Sequence, residues 1–505
     1  MKTISKLPPE YHPLKHELLE IMRSFTRYET KRFGKFLRSW YFNKSPKIVK
    51  LFFILKKFFP YYRHRRLTKF NIYKKLNYGK PYNDSTVRNL IYDLQEFAER
   101  VMKQVEFDKD KIGNSVYWRR PLFRRRLNTL NRINIENTEQ MIDRSKKVES
   151  DLYSNKYRLE ADQFLFKTIE GNMDSSSFLK SDSAVITRSY VSLLNFLVME
   201  SAKQSRLMLC YANKFKTPQR KQTAADFSKI VDIEKISQFI RKYSPRDAWI
   251  PQLYNSLLKA FNNFESDAYY KQFKNLLAKN AGKLSVKENE QLHNALADYN
   301  YIKIELKNNP NKYAKELFDV FQVILKNGHY DTFQDNTIPY DLFKRILLNA
   351  LSLKKYQWAN DFVNKQKGRL IGDIKLNVVA FASAMINFEK GKYAEALLIL
   401  KRLNWDSFDD VLDAYELKTK LLYETKDMED ALDTVDEYYN YIYRDKTIVD
   451  NIRKSHLNFI DFVWSMANYR RRRKGITRDE IRRSFSKTDN IKSRDWVAAK
   501  IKALS

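Results

Sequence analysis

Six histidines and one cysteine are the side chains with which this 505-residue chain could ligate a metal or supply a nucleophile, and their spacing supports neither. His12, His16, His64, His293, His329 and His456 are mostly remote from one another, and none belongs to an HExxH helix or a Cys/His ligand set. His12 and His16 have the i, i+4 spacing that can bind metal on a helix, but Pro13 stands between them and starts the helix after His12. Cys210 sits in the apolar helical stretch Leu207-Met208-Leu209-Cys210-Tyr211, where a thiol packs and does not attack. Gly368 and Gly372 lack the Lys-Ser/Thr that completes a phosphate-cradling loop. Asp409-Asp410 and Glu429-Asp430 occupy adjacent helical positions and point to different sides, so they read as solvated faces and not as acid/base dyads. The expectation is a non-enzymatic chain with no catalytic residue, no cofactor and no metal.

Cationic side chains are gathered in a pattern that points to binding. The net charge of +34 divides into +20 over residues 1–130 (31 basic, 11 acidic), +4 over 131–440 (46 and 42) and +10 over 441–505 (17 and 7). Residues 31–80 carry 16 Lys/Arg and no Asp or Glu. Such asymmetry favours association with a polyanion or an anionic surface. Leu67–Tyr78, a turn and Ser85–Val105 read as a helix-turn-helix-like pair. Its second helix would present Ser85, Thr86, Arg88, Asn89 and Tyr92 near its amino end, where a recognition helix reads base edges. Arg63, Arg65, Arg66, Lys69, Lys74 and Lys75 would then hold phosphates, while Asp93, Glu96 and Glu99 on the exposed face argue the other way. Arg119 and Arg120, followed by Arg124, Arg125 and Arg126, form a basic junction. Arg470, Arg471, Arg472, Arg473 and Lys474 close a helix before Gly475. The helix dipole accounts for one or two cations in a last turn, and five suggest an additional partner.

These residues must be carried by helices. Ten glycines and twelve prolines in the whole chain are too few for a turn-rich sheet protein, whereas 43% apolar content is ample for a core. No run approaches the roughly 18 uncharged apolar residues of a membrane span. The amino-terminal run has no apolar signal-like region, and a single cysteine fits a reducing compartment, so a cytoplasmic location is expected. The periodicity predicts helices over Thr30–Phe42, Ser45–Phe59 and Leu67–Tyr78. It then predicts one capped by Asn83 or Asp84 with Val87, Leu90, Ile91, Leu94, Phe97, Ala98 and Val101 as its apolar stripe. A long helix is expected from the basic junction to about Asp151, and the Ser/Asp cluster between Gly171 and Ser183 reads as a boundary. Thr477-Arg478-Asp479-Glu480 is a capping box opening one of the last helices.

An internal repeat follows. The segments opening at Tyr313, Tyr356, Tyr393 and Met428 superimpose at spacings of 43, 37 and 35, with Ala359, Ala396 and Ala431 at one shared position. The best unit runs from about Leu376 to Leu403, with small Ala380 and Ala384 on its first helix and Gly391-x-Tyr393-x-x-Ala396 opening its second. On these residues the stretch of about 310–440 resembles the tetratricopeptide repeat superfamily, though without the proline that usually closes the repeat. The resemblance implies a right-handed solenoid whose concave face holds an extended peptide. Phe33-Gly34-Lys35-Phe36-Leu37-Arg38-Ser39-Trp40-Tyr41-Phe42-Asn43, with Lys80-Pro81-Tyr82-Asn83-Asp84, resembles a motif pair of bacterial helical proteins of unassigned function.

The expected fold is all-α, a helix-pair solenoid preceded by a basic helical module. Its parts are a basic module at 1–110, a helical linker region at 111–183, the solenoid at 184–446 and a basic cap at 447–505. The expected function is a scaffold that binds protein or peptide on the solenoid and a polyanion, nucleic acid first, at its basic ends. Two alternatives stay open: a purely structural interaction protein, and a sequence-specific DNA-binding regulator using the helix-turn-helix-like pair.

Overall fold

Side-chain caps set the helix starts. Thr26 and Glu29 form a capping box, Thr68 accepts from the Asn71 amide, Asn83 accepts from the Thr86 amide at 2.9 Å, and Thr477 with Glu480 forms a second box. The computed structural model of the chain describes residues 8, 12–60, 62, 64–77, 79–145, 147–170, 175–215, 223, 226, 230–306, 309–331, 336–370, 375–403, 410–473 and 475–504. For 167–170, 175–182, 213–215 and 375 this is backbone only. Among the described residues there is no strand, and the chain is all-α. It divides into two units, Met1–Arg144 and Ser145–Ser505.

The first unit holds α1 (Glu17–Ser24), α2 (Arg27–Arg38), α3 (Pro46–Lys56), α4 (Lys69–Leu76), α5 (Asp84–Lys109), α6 (Lys111–Arg124) and α7 (Asn128–Arg144). Leu18 and Met22, Phe33 and Leu37, Leu51 and Phe52, Ile72, and the stripe of α5 build one core. Gly34 lets α2 close on α3: a Cβ there would stand 2.9 Å from the Phe52 ring. The capping box starts α2 earlier than the apolar period predicts, and the helix ends at Arg38, short of the expected Phe42. Buried Asn43 stops it by donating to the Leu37 and Ser45 carbonyls at 2.9 and 3.2 Å. The long helix expected beyond the basic junction is broken into α6 and α7, because Arg126 takes φ 54° and Leu127 N–H closes back on the Leu122 carbonyl at 2.9 Å.

The second unit holds α8 (Ser150–Glu170), α9 (Ser175–Phe215), α10 (Ile233–Tyr243), α11 (Trp249–Asn262), α12 (Ala268–Asn280), α13 (Val286–Glu305), α14 (Pro310–Asn327), α15 (Tyr340–Ser352), α16 (Tyr356–Gln366), α17 (Lys375–Glu389) and α18 (Tyr393–Leu400). It continues through α19 (Val411–Glu424), α20 (Met428–Arg444), α21 (Asp450–Arg470), α22 (Arg478–Lys487) and α23 (Arg494–Lys502). Consecutive helices pack as neighbouring pairs, an arrangement compatible with a helical solenoid. The division between the two units at 144/145 falls inside the stretch 111–183. α9 runs without a break through Ser181-Asp182-Ser183, since serines weaken a helix interior without ending it as Pro or Gly would. Gly171–Asp174 lie outside the described residues.

The residues expected to open the repeats fall at helix starts. Tyr356, Tyr393 and Met428 are each the first residue of the second helix of a pair, and Tyr313 is in the first turn of α14. Ala359, Ala384, Ala396 and Ala431 are fully buried. Two residues before each opening, Lys354, Gly391 and Lys426 take φ of 57°, 75° and 64°. The following amide closes back on the preceding helix each time, Lys355 on Ala350, Lys392 on Asn387 and Asp427 on Leu422, at 2.9 to 3.0 Å. Only one of these left-handed positions is glycine. Lys354→Gly and Lys426→Gly are therefore each expected to stabilise the second unit by about 0.5–1 kcal/mol, seen as a higher urea midpoint. A lowered midpoint for both would show that the lysines sit there without strain.

Candidate polyanion-binding surface

The stretch without acidic residues becomes α2, α3, α4 and their connections. Its cations Lys31, Lys35, Arg38, Lys44, Lys47, Lys50, Lys56, Lys57, Arg65, Arg66, Lys74, Lys75 and Lys80 are all exposed. Among the described residues of 31–80, ion pairs are made by Arg32, with Asp108 at 2.7 Å, and by Lys69. Arg38 and Lys56 lie over the Phe53 ring at 5.1 and 5.8 Å and keep their outer faces in water.

The stretch expected to form a helix-turn-helix-like pair holds α4 and α5, but the amino end of α5 serves the protein itself. Asp84, the first residue of α5, accepts from Tyr82 Oη at 2.7 Å and Lys69 Nζ at 3.2 Å, and its other oxygen lies 2.8 Å from Arg88 Nε. The Tyr82 hydroxyl, with Lys69 and Arg88, holds the Asp84 carboxyl below its usual range. Ser85 and Thr86 hydroxyls both donate to the capping Asn83. Of the expected base-reading residues, Asn89 and Tyr92 stay exposed and Arg88 is exposed but clamped.

Arg119 leaves the surface set. It is 4% exposed, because the face of α6 that carries Val116 and Leu122 turns inward and takes residue 119 with it. Arg120, Arg124, Arg125 and Arg126 are exposed, Arg120 over the Tyr117 ring at 5.9 Å. At the other basic run, Arg470 lies 4.4 Å over Tyr423 and Arg473 5.5 Å over Trp464, while Arg471 and Arg472 are exposed at the turn where Arg472 takes φ 55°. Both arginine runs therefore end helices, where cations meet the negative dipole end. Arg63 and Lys474 lie outside the described residues.

In the second unit many cations are held by the protein's own carboxylates. Lys203 lies 2.6 Å from Glu200 and 3.2 Å from Glu288, and Tyr254 donates to Glu288. Asp298 joins Arg206 and Arg345, and Asp267 joins Lys303 and Lys312. Lys344 bridges Asp410 and Asp413 at 2.8 and 2.5 Å, and Lys492 lies 3.1 Å from Asp413 and 3.4 Å from Glu416, which also pairs Lys420. Asp410 is thus an ion-pair partner and not the solvated acid its neighbours in sequence suggest; Asp409 and Gly372 lie outside the described residues. Lys344, Lys420 and Lys492 with Glu389, Asp413 and Glu416 line a cavity of about 240 Å³, three charges of each sign, beside Phe381, Met385 and Phe388.

The remaining chemistry-bearing groups are quiet. Burial beside Asp298 pushes the Cys210 thiol up to about 12, away from a reactive thiolate. The His293 and His329 rings lie with centroids 4.5 Å apart and planes tilted by 31°, a pairing the spacing of 36 residues conceals. Burial pushes both imidazoles down, His329 to about 4. Among the described residues no cluster of three or more His, Cys, Asp or Glu is placed to hold a metal, and no helix is long and apolar enough to cross a membrane. Sequence reasoning also missed Trp40 and Tyr41, 71% and 86% exposed on the α2–α3 connection, having placed them inside a helix.

No family model, curated protein or solved structure matches this chain.

Proposed function

We propose that the chain is a non-enzymatic binding scaffold: the first unit contacts a polyanion, nucleic acid, through its cationic surface, and the second binds protein or peptide as a tetratricopeptide-like solenoid. The observation that carries the reading is the set of thirteen exposed cations between Lys31 and Lys80 that pair with no carboxylate among the described residues, against a second unit whose lysines and arginines are so often held internally. Thirteen like charges left on one short stretch repel each other and gain most by displacing counterions from a chain of phosphates. The solenoid part is supported by the paired helices, the recurring left-handed turn and the buried alanines at one repeat position. Because Asp84 occupies the amino end of α5 and restrains Arg88 and Lys69, the contact proposed is with phosphates and not a readout of base edges.

Fluorescence anisotropy of the full chain with oligonucleotides of unrelated sequence tests this. Binding is expected to be nearly independent of sequence and to weaken by about 10²–10³-fold between about 50 and 200 mM salt. No binding at the lower salt removes the polyanion reading, and tight discrimination between duplex sequences replaces it with base readout.

A further inference from the structure

The connection between α2 and α3 is built to display two rings. Its backbone is fixed by Phe42 and Asn43 amides donating to the Ser39 carbonyl at 3.1 and 3.0 Å. Buried Asn43 reaches back to Leu37 and accepts the Ser45 amide at 2.9 Å. Phe42, 41% exposed, stacks on Phe36 with centroids 4.4 Å apart, and Tyr41 meets Phe42 edge-on at 5.0 Å and 88°. The rings this arrangement leaves most in water are Trp40, 71% exposed, and Tyr41, 86% exposed. Two adjacent large rings held out by an ordered loop run against the burial that such side chains normally seek.

The surroundings are cationic on both sides. Lys31, Lys35 and Arg38 share one face of α2 leading to the rings, and Lys44, followed by Lys47 and Lys50 on α3, leads away, all exposed and none with a carboxylate partner among the described residues. We infer that Trp40 and Tyr41 form a base-stacking platform for single-stranded nucleic acid, with the flanking lysines and Arg38 tracking its phosphates. This rests on the polyanion reading and specifies its ligand. Rings stack on any unpaired base and cannot reach the faces of bases inside a duplex, so the platform selects strandedness and not sequence. The layout separates this ligand from a lipid surface. A bilayer draws basic groups level with interfacial rings, within about a Debye length of the headgroups. Here the cations recede along two helices, Lys31 lying about 10 Å of helix behind Arg38, which follows a strand and not a plane.

The test measures anisotropy of the full chain with fluorescein-labelled oligo(dT) and with a random duplex, alongside flotation with phosphatidylserine-containing vesicles. W40A/Y41A is expected to bind oligo(dT) about tenfold or more weakly with an unchanged salt slope, since the rings neutralise no phosphate. Duplex binding should change little, and W40F/Y41F should keep most of the affinity for oligo(dT), which also shows that the loop remains folded. Wild-type affinity of W40A/Y41A for oligo(dT) overturns the platform and leaves the polyanion reading standing. Failure of the wild-type chain to bind any oligonucleotide at low salt overturns the polyanion reading itself. Vesicle flotation that depends on Trp40 and Tyr41, without oligo(dT) binding, assigns the rings to a membrane surface instead.

Discussion

Lys203→Met is expected to destabilise the second unit by about 3–5 kcal/mol, while Lys203→Met combined with Glu288→Gln, which keeps an oxygen for the Tyr254 hydroxyl, recovers most of the loss. Lys203, on α9, and Glu288, on α13, are separated by 85 residues and face each other at 3.2 Å with side chains 8% and 1% exposed. Lys203 also donates to Ser150 Oγ at 3.0 Å and lies 2.6 Å from Glu200, and Glu288 accepts from Tyr254. Removing the ammonium leaves Glu288 as a buried carboxylate with a tyrosine hydroxyl in place of a countercharge, which costs far more than the pair contributes over an apolar substitute. Removing both charges avoids the orphan, and Glu200, half-buried at the edge, returns to water. Urea unfolding of the four proteins of the cycle measures the coupling directly. A single substitution costing under about 1 kcal/mol would mean that water reaches this pair and that it does not lock α9 to α13.

The same pair shows why some of the architecture is legible in the chain and some is not. α5 is legible because each of its determinants is local: Asn83 caps three residues ahead, and Val87, Leu90, Ile91, Leu94, Ala98 and Val101 recur at three and four and are all buried. The helix starts at Tyr356, Tyr393 and Met428 are legible for the same reason, since helix, turn and helix lie within one window. Arg119 fails because a run of arginines carries no sign of which one its helix will turn inward. Trp40 and Tyr41 fail because nothing in their neighbours ends α2; the stop comes from the Asn43 side chain. The charge of the candidate surface is legible as composition, but that Lys69 and Arg88 serve Asp84 while Lys35 and Lys47 make no ion pair among the described residues depends on which helices meet. Long-range ion partners such as Lys344 with Asp413 leave no local trace at all.

Acid is expected to unfold the second unit in two overlapping stages, the first set by histidine. His456 is 4% exposed, bonded to the Tyr438 hydroxyl and pushed down by burial to about 4, with Lys492 adding to the shift and Glu416 and Asp413 opposing it. Below its ordinary value of 6.5 the unfolded chain takes up a proton that the folded one refuses. Stability is therefore constant with respect to this group above pH 6.5 and falls as the pH drops towards 4, by up to about 3 kcal/mol. His329, half-buried, titrates in the same window with a smaller effect. Asp267 and Asp413 extend the loss. Burial would raise each, but hydrogen bonds from Lys312 and Tyr313 to the first, and the charges of Lys492 and Lys344 beside the second, hold both well below the usual carboxylate range. Their contribution is present above the ordinary carboxylate value and is lost as the pH falls further. Urea unfolding of His456→Phe, whose ring fills the site without titrating, should show a stability difference between about pH 7 and 4.5 that is smaller than the wild type's by about 2 kcal/mol. Tyr438 retains its bond to the Leu412 carbonyl at 2.9 Å, so its hydroxyl is not orphaned by the substitution. An unchanged difference between the two pH values would place the acid sensitivity in the carboxylates alone.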